Sequence, residues 1–494
     1  MDIFKIIQES INKHKNRNAF YINETFYTYF DFINKISNIR NSLEISTKKT
    51  DKIIGLVTNN DIETYASIVA LWFEGKAYVP LNPEHPVNRN LDIITQAEIQ
   101  TIIDSSEKSV FTEYNIINSK IVSDTEINLV PKVVSDAELA YIFFTSGTTG
   151  IPKGVTISRA NVSGFIAAFN DLGFYIDEND RFLQMFDLTF DLSIMSYLVP
   201  ILNGACIYTI PKGTFKFNYV FELIDEHDIT IALMVPSILH YLRPYFDEID
   251  AHSMKYSLFC GEELPLDVTE EWSRCLPNAY IFNVYGPTEN TIFCTIYNYK
   301  KTLNTKSYNG VLSIGKPMTG VETIIVDDQN QILPKGKKGE LCLAGKLLSP
   351  GYWKNEEKNK VSFFTTKFNG KKTRFYKTGD ICTEDSEGDI MYIGRLDYQT
   401  QIQGFRVELL EVEFHVRSFL ENINAVAIAF TNKLENSEIG LLIESDEFDT
   451  KKLLEYCNTR MPLYMIPTRI NFMKSFPLNS NGKIDRNKLK VFFK

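Results

Sequence analysis

Long apolar runs are missing from this chain. Nothing in its 494 residues reaches the ~18 consecutive apolar positions that a membrane-spanning helix needs. The first residues are not expected to be an apolar leader. Residues 1–17 interleave Ile3, Ile6, Ile7 and Ile11 with Asp2, Lys5, Glu9 and Lys13, which reads as an amphipathic helix and not as a signal peptide. There is no basic surplus: 52 Lys and Arg stand against 62 Asp and Glu, a net charge of −10. That balance argues against a duplex nucleic-acid binder. It leaves room for a small anion held by a local cluster of donors. The seven cysteines are odd in number and scattered, with no CxxC pair and no His at metal-ligand spacing. They read as reduced, mostly buried thiols, and the expectation is a cytoplasmic enzyme. Internal repeats and long Gly/Ser/Pro linkers are also absent.

What is present is an ordinary globular composition, 44% hydrophobic and 23% charged, long enough for several domains or subdomains of ~100–200 residues. Short apolar strands alternate with helical patterns. Residues 53–58 read as a buried strand, 63–73 as a helix, and 102–104 and 140–144 as further strands. Such alternation predicts parallel α/β layers. Residues 323–351 carry turn signals at Asp327-Asp328 and Pro334-Lys335-Gly336 and read as a small antiparallel β-unit. A β-hairpin is expected from Asp389 to Gln403, a helix over 408–420, a strand over 425–430 and a helix over 452–461. The fold class is therefore α/β: a large N-terminal domain of layered sheets plus a small β-unit, residues 1–396, followed by a small α+β domain, residues 397–494.

The most informative string is Thr145-Ser146-Gly147-Thr148-Thr149-Gly150-Ile151-Pro152-Lys153-Gly154, which follows an apolar strand. Its glycines allow close backbone approach to a ligand, and its hydroxyls and Lys153 offer donors to phosphate oxygens. It is not a Walker A loop, because Pro152 precedes the lysine.

This string resembles the nucleotide loop of the adenylate-forming superfamily, and five other strings in the same order resemble that family's signatures. They are Gly75-Lys76-Ala77-Tyr78-Val79-Pro80-Leu81, Asn283-Val284-Tyr285-Gly286-Pro287-Thr288-Glu289, Tyr376-Lys377-Thr378-Gly379-Asp380, Gly394-Arg395-Leu396-Asp397 running on to Gln403-Gly404-Phe405-Arg406-Val407-Glu408, and Asn481-Gly482-Lys483-Ile484-Asp485-Arg486. Together they span nearly the whole chain. The resemblance implies that a carboxylic acid is joined to AMP with release of pyrophosphate, using ATP and Mg²⁺. It assigns ATP binding to Thr145, Ser146, Gly147, Thr148, Thr149, Gly150, Lys153, Asn283, Tyr285, Gly286, Asp380 and Arg395. Tyr285 would offer a flat face to adenine and Asp380 would accept the ribose hydroxyls. Glu289 would be the metal ligand, a hard oxygen suited to Mg²⁺ on phosphates. Lys483, Thr288 and Arg395 would be catalytic, with Lys483 bridging the substrate carboxylate and the α-phosphate. Asp397 would be the hinge of a mobile C-terminal domain. Gly404 would line a tunnel for a phosphopantetheine thiol, although a β-bulge glycine is an equally plain reading.

The acid is addressed by Phe190-Asp191-Leu192-Ser193. In amino-acid-activating members of the family, the aspartate of such a string grips the substrate ammonium, and Asp191 matches it. Asp187 is a weaker candidate, and a helix-capping role for Asp191 is the alternative. The other pocket positions matched by motif are Leu192, Met195, Leu233, Leu258, Cys260, Val284, Ile292 and Phe293. None is charged, so the substrate is expected to be small and apolar. Together with Phe259-Cys260-Gly261-Glu262 and Glu413-Phe414-His415-Val416-Arg417, the pattern resembles the D-alanine–D-alanyl carrier protein ligases. D-alanine is the first expectation. The bulk of Leu233, Val284 and Phe293 also resembles stand-alone prolyl-activating enzymes, so proline or another small L-amino acid is the second. An acyl-CoA ligase and a silent AMP-binding scaffold are the remaining readings. The expected partner is an acidic carrier protein with a phosphopantetheine arm, attracted by Arg374, Lys377, Arg406 and Lys483. No nucleic-acid or membrane partner is expected, and the family precedent leans monomeric. His227, His240 and His252 are given no chemistry.

Overall fold

The structure, a computed structural model, describes residues 2–121, 126–147, 150–214, 216–300, 305–396, 399–421, 423–477 and 484–493. Two compact units are formed. One comprises Met1–Asn82, Ala97–Phe143 and Gly154–Leu396; the other comprises Pro83–Gln96, Phe144–Lys153 and Asp397–Lys494. The second unit thus draws in two short segments from earlier in the chain. No helix among the described residues is long and apolar enough to cross a membrane.

In the first unit the expected alternation is realised. The strand over 53–58 is Ile53–Val57, the following helix is Ile62–Phe73, and the later strands are Thr101–Asp104 and Leu139–Thr145. The helix starts where the Asp61 side chain accepts the Thr64 N–H. Every one of its residues is buried, and its few polar side chains are bonded, Glu63 to Lys35 and Ser67 to the Glu63 carbonyl. Trp72 keeps its indole N–H satisfied by donating to the Ala140 carbonyl at 3.0 Å. Seven strands form one sheet, in the order Gly351–Tyr352, Lys153–Ser158, Leu139–Thr145, Ala77–Leu81, Ile53–Val57, Thr101–Asp104, Asn115–Asn118.

A nine-stranded sheet carries the longest parallel run: Asn18–Ile22, Cys206–Thr209, Arg181–Gln184, Ile231–Met234, Tyr256–Phe259 and Tyr280–Tyr285. Strands buried on both faces read as unbroken apolar stretches, which is why Ile231–Met234 (IALM) and Tyr256–Phe259 (YSLF) lack alternation. In sheets of this kind ligands bind beyond the carboxyl ends of the strands. The antiparallel β-unit expected over 323–351 is built from Val321–Val326 and Lys338–Gly345, extended by Lys371–Glu384 and Phe363–Phe368.

The hairpin expected from Asp389 to Gln403 is a miss. Ile390–Arg395 pairs with Lys371–Glu384 instead, and Gln399–Ile402 pairs with Phe405–Glu408. The cause is local. Gln403 (φ 51°) and Gly404 (φ 81°) supply the two positive-φ residues of a tight two-residue turn, so that turn claims Gln399–Ile402. Gly404 is a turn glycine and not a bulge glycine. In the same unit the sheet Ala425–Thr431, Ser437–Ile443 and Arg469–Phe472 packs Leu441 and Ile443 against Val412 and Val416 of the helix Leu409–Phe419. The helix expected over 452–461 is Lys451–Asn458. Its last residues turn off ahead of Pro462, which disfavours helix at the residue before it.

Candidate active site

Asp191 stands at the N-cap position of the helix Leu192–Asn203, yet its carboxylate makes no capping bond. Oδ2 accepts the Ile292 N–H at 3.3 Å instead. The capping reading of this side chain is thereby set aside. Asp191 is 5% exposed and has no cation paired to it among the described residues. Burial pushes its pKa up to about 7. The Thr288 hydroxyl and the N–H groups of Ile292 and Leu192 favour the charged form, and the neighbouring Glu289 opposes it. Thr291 (φ 54°) and Ile292 (φ 72°) both hold left-handed backbone, which β-branched residues rarely adopt. Thr291 is anchored there by its hydroxyl on the Leu347 carbonyl at 2.6 Å, and this conformation delivers the Ile292 N–H to Asp191. Asp187, the weaker candidate, is held in its own turn by the Thr189 N–H and hydroxyl, both at 2.8 Å, and by the Asn82 amide.

The apolar pocket residues share one buried core. Leu192 and Met195 lie one turn apart on the helix, Leu233 faces Leu258 across paired strands, and Cys260 follows the end of the Leu258 strand. Val284 lies near the carboxyl end of Tyr280–Tyr285. Ile292 and Phe293 are fully buried, with Phe293 set edge-on to Phe165 at 5.0 Å. Gly286 passes so close to Phe293 that a Cβ would lie 2.5 Å from its Cα. Burial and the Asp191 charge push the Cys260 thiol up, so it stays neutral.

Tyr285, Asp380 and Arg395 are brought together. The Tyr285 hydroxyl donates to Asp380 Oδ2 at 2.5 Å, and Arg395 Nη1 donates to Oδ1 at 2.6 Å. The register that sets Arg395 opposite Asp380 makes this contact possible. Burial, and then the Asp380 charge, hold the Tyr285 hydroxyl protonated. Asn283 is pinned by its amide on the carbonyls of Leu312 and Ser313. Thr288 and Glu289 share a short 3₁₀ turn, and the Glu289 carboxylate accepts the Tyr352 hydroxyl at 2.6 Å.

The glycine-rich loop joins Leu139–Thr145 to Lys153–Ser158, its neighbour in the same sheet, where a Walker loop would open a helix. Thr148 and Thr149 lie outside the described residues, as do Asp397 and Lys483. Thr145 Oγ1 is buried with no hydrogen-bond partner among the described residues. Ser146 Oγ donates to the Arg406 carbonyl at 2.7 Å, and the Gly147 N–H donates to Glu411 Oε2 at 2.9 Å. Lys153 Nζ lies 3.4 Å from Glu408 Oε1. Gly150 (φ 77°) leaves room for the Phe414 ring, which a Cβ would meet at 2.2 Å. Arg406 also bonds Gln399, Lys377 pairs with Glu340, and Arg374 donates to the carbonyls of Ser349 and Pro350. Sequence reasoning gives no role to Glu408, Glu411 or Tyr352. Their contacts join positions far apart in the chain, and no spacing signals them.

The profile of the AMP-binding enzyme family matches residues 7–353, well over half of the chain. The chain belongs to that family, the adenylate-forming enzymes. Among the similar relatives of this AMP-binding enzyme is one of the linear gramicidin synthase proteins of Brevibacillus parabrevis, 31% identical over 502 residues. The match covers 99% of the chain and 10% of that protein, so the chain spans about a tenth of its length. A D-alanine–D-alanyl carrier protein ligase of Lactococcus lactis is 30% identical, with 94% of each chain covered. The crystal structure of the Vibrio cholerae adenylation domain AlmE with glycyl-adenosine-5'-phosphate superposes with a TM-score of 0.88 at 22% identity, covering 100% of the chain and 98% of AlmE. That likeness carries the α/β fold.

The donors present fit the family's nucleotide. The orphaned Thr145 hydroxyl and the buried Lys153 suit phosphate oxygens. No group of three or more His, Cys, Asp or Glu that could hold a metal occurs among the described residues. Glu289, a hard oxygen donor, suits a cation that arrives on phosphates.

Proposed function

We propose that the chain activates a small apolar amino acid, D-alanine first, as its aminoacyl-AMP, and then passes the acyl group to the phosphopantetheine thiol of a carrier protein. The observation that carries this reading is Asp191, a buried carboxylate with no cation paired to it among the described residues. An uncompensated buried charge is costly, and an ammonium ligand supplies the missing partner. An acyl-CoA ligase has no use for it. The apolar lining of Leu192, Met195, Leu233, Leu258, Cys260, Val284, Ile292 and Phe293 leaves a polar substrate side chain without partners. The name of the Lactococcus relative supports D-alanine. The bulk of Leu233, Val284 and Phe293 favours proline as the second reading.

In this scheme the substrate carboxylate attacks the α-phosphorus of ATP and pyrophosphate leaves. The carrier thiol then attacks the acyl carbonyl and AMP leaves. Thr145, Ser146, Gly147, Gly150 and Lys153 receive the outer phosphates. Asn283, Tyr285, Gly286, Asp380 and Arg395 frame the nucleoside. Thr288 contacts the α-phosphate. Mg²⁺ held by Glu289 would neutralise phosphate charge. Residues 397–494 form the mobile domain, hinged at Asp397, that brings in Lys483 and later presents Gly404 to the pantetheine arm.

The test is amino-acid-dependent exchange of pyrophosphate into ATP, run across the L-amino acids, glycine and D-alanine. Exchange is expected to peak with D-alanine. Lys483→Ala should lower it by about 10²–10³-fold, the typical loss when one donor to a developing charge is removed. A peak with proline would change the substrate and keep the reaction. No exchange with any amino acid would overturn the proposal.

A pH dependence follows. The ammonium needs the ionised carboxylate, and in the free protein Asp191 ionises only near pH 7. The KM for the amino acid should therefore rise as pH falls, about tenfold at pH 6 and about a hundredfold at pH 5 relative to alkaline pH. A KM that stays flat between pH 5 and 8 would count against the Asp191 contact.

A further inference from the structure

Thr291 and Ile292 are kept off the ordinary backbone by a hook. The Thr291 N–H closes the 3₁₀ turn on the Thr288 carbonyl at 3.1 Å, and the Cys294 N–H returns to the Tyr285 carbonyl at 2.8 Å. Between those two bonds the chain runs through Thr291 (φ 54°) and Ile292 (φ 72°), a conformation that β-branched residues adopt only when their surroundings impose it. The hook is the Thr291 hydroxyl, which donates to the Leu347 carbonyl at 2.6 Å. Both residues are fully buried. The acceptor is itself fixed. Asn161 Nδ2 donates to the Lys346 and Leu348 carbonyls at 2.9 and 3.0 Å, one on either side of Leu347. Asn161 belongs to the helix Arg159–Asn170, where its Oδ1 accepts the Ser158 N–H and hydroxyl in a capping box. The same helix brings Phe165 edge-on to Phe293 at 5.0 Å. One helix thus braces the strained pair through Leu347 and through Phe293.

From this geometry we infer that Thr291 is a positioning residue for amino-acid binding: its hydroxyl, hooked on Leu347, keeps the Ile292 N–H on Asp191 and so holds that carboxylate in place for the substrate ammonium. The inference rests on the ammonium role proposed for Asp191. Thr291 acts through the backbone, since its own hydroxyl is taken up by Leu347. A carboxylate has about four acceptor positions. The Thr288 hydroxyl and the N–H groups of Ile292 and Leu192 meet three of them, which leaves room for one more donor. Of these three, only the Ile292 N–H depends on the strained pair. A carboxylate ordered before the ligand arrives loses less freedom when it binds.

The test is pyrophosphate exchange by the full chain at saturating ATP, with D-alanine as the probe, or proline where proline is the amino acid that exchanges. Thr291→Val removes the hydroxyl and keeps the β-branch. It should raise the KM for the amino acid by about 3–10-fold, the affinity that goes with ordering one side chain, while kcat and the KM for ATP stay within about twofold. Thr291→Ser keeps the hydroxyl and should keep the natural KM. Thr295→Val is the control for loss of a buried hydroxyl, since Thr295 is fully buried and donates to the Ile314 carbonyl, also at 2.6 Å. It should leave the amino-acid KM unchanged. Asp191→Asn separates the two claims. If it exchanges like the natural chain, the ammonium role of Asp191 fails and the inference falls with it. If it loses exchange and Thr291→Val keeps the natural KM, the positioning role alone is overturned. An equal loss in kcat or in ATP affinity in Thr291→Val, a KM raised as far in Thr291→Ser, or an equal effect in Thr295→Val would make the hydroxyl merely structural and would also overturn it.

Discussion

Replacing Asp191 by Asn should lower kcat/KM for the activated amino acid by about 10²–10⁴-fold, the equivalent of the ~3–5 kcal/mol lost when one member of a buried ion pair is removed. Asn keeps the shape and can still accept the Ile292 N–H, so the loss isolates charge from volume. The same substitution should stabilise the ligand-free protein at neutral pH. Burial raises the carboxyl pKa from 3.8 in the unfolded chain to about 7 in the fold. The folded state therefore binds the proton more tightly. The contribution of Asp191 to stability is most favourable below pH ~4, declines as pH rises to about 7, and is level above that, by a few kcal/mol in all. Thermal midpoints of the natural chain and Asp191→Asn, compared from pH 4 to 8, should diverge over that window with the variant the higher. Activity lost together with stability gained is the mark of a group retained for its ligand. A variant that still supports amino-acid-dependent exchange at the natural rate would remove the ammonium contact from Asp191 while leaving amino-acid activation in place.

Asp191 was singled out by the resemblance of Phe190-Asp191-Leu192-Ser193 to the string of amino-acid-activating members, and the structure shows that residue buried. The glycine loop was legible because its signal is local. The parallel layers could be read from the alternation of apolar strands and helical patterns over 53–58, 63–73, 102–104 and 140–144, which the structure realises. What could not be read is what long-range pairing decides. Ile390–Arg395 has the pattern of a hairpin arm, but its partner lies in Lys371–Glu384, and only that register sets Arg395 against Asp380. Tyr352 and Glu289 are 63 residues apart, and nothing in Gly351-Tyr352 announces a carboxylate partner. The strained pair Thr291 and Ile292 goes further: two β-branched residues at positive φ contradict local propensity, and only the surrounding contacts hold them there. Local rules failed at the residue that delivers an N–H to Asp191, which is where a site built for a ligand is expected to break them.

The largest stability effect outside the pocket belongs to Arg89 and Glu411, 322 residues apart and both in the second unit. Arg89 Nη1 lies 2.7 Å from Glu411 Oε1; the side chains are 5% and 0% exposed. Burial alone would lower the Arg89 pKa, and the Glu411 carboxylate beside it more than reverses that. The other carboxylate oxygen accepts the Gly147 N–H, so one side chain fixes both short segments that join residues 397–494 in this unit. Glu411→Ala should destabilise the unit by about 3–5 kcal/mol, because it leaves a guanidinium buried without its counter-charge. Hydrogen exchange across Leu409–Phe419 reads this directly: protection there should fall by about 10²–10³-fold, while Ile62–Phe73 in the other unit keeps its protection. The double replacement Arg89→Met, Glu411→Leu keeps the volume and removes both charges. It should recover most of the loss, because an apolar pair of similar size commonly serves a core as well as a buried ion pair does. Protection that is unchanged in Glu411→Ala would show that Arg89 finds water or another acceptor, and that the contact does not hold the segments together. Recovery in the double variant would separate the cost of the stranded charge from any intrinsic strength of the bond.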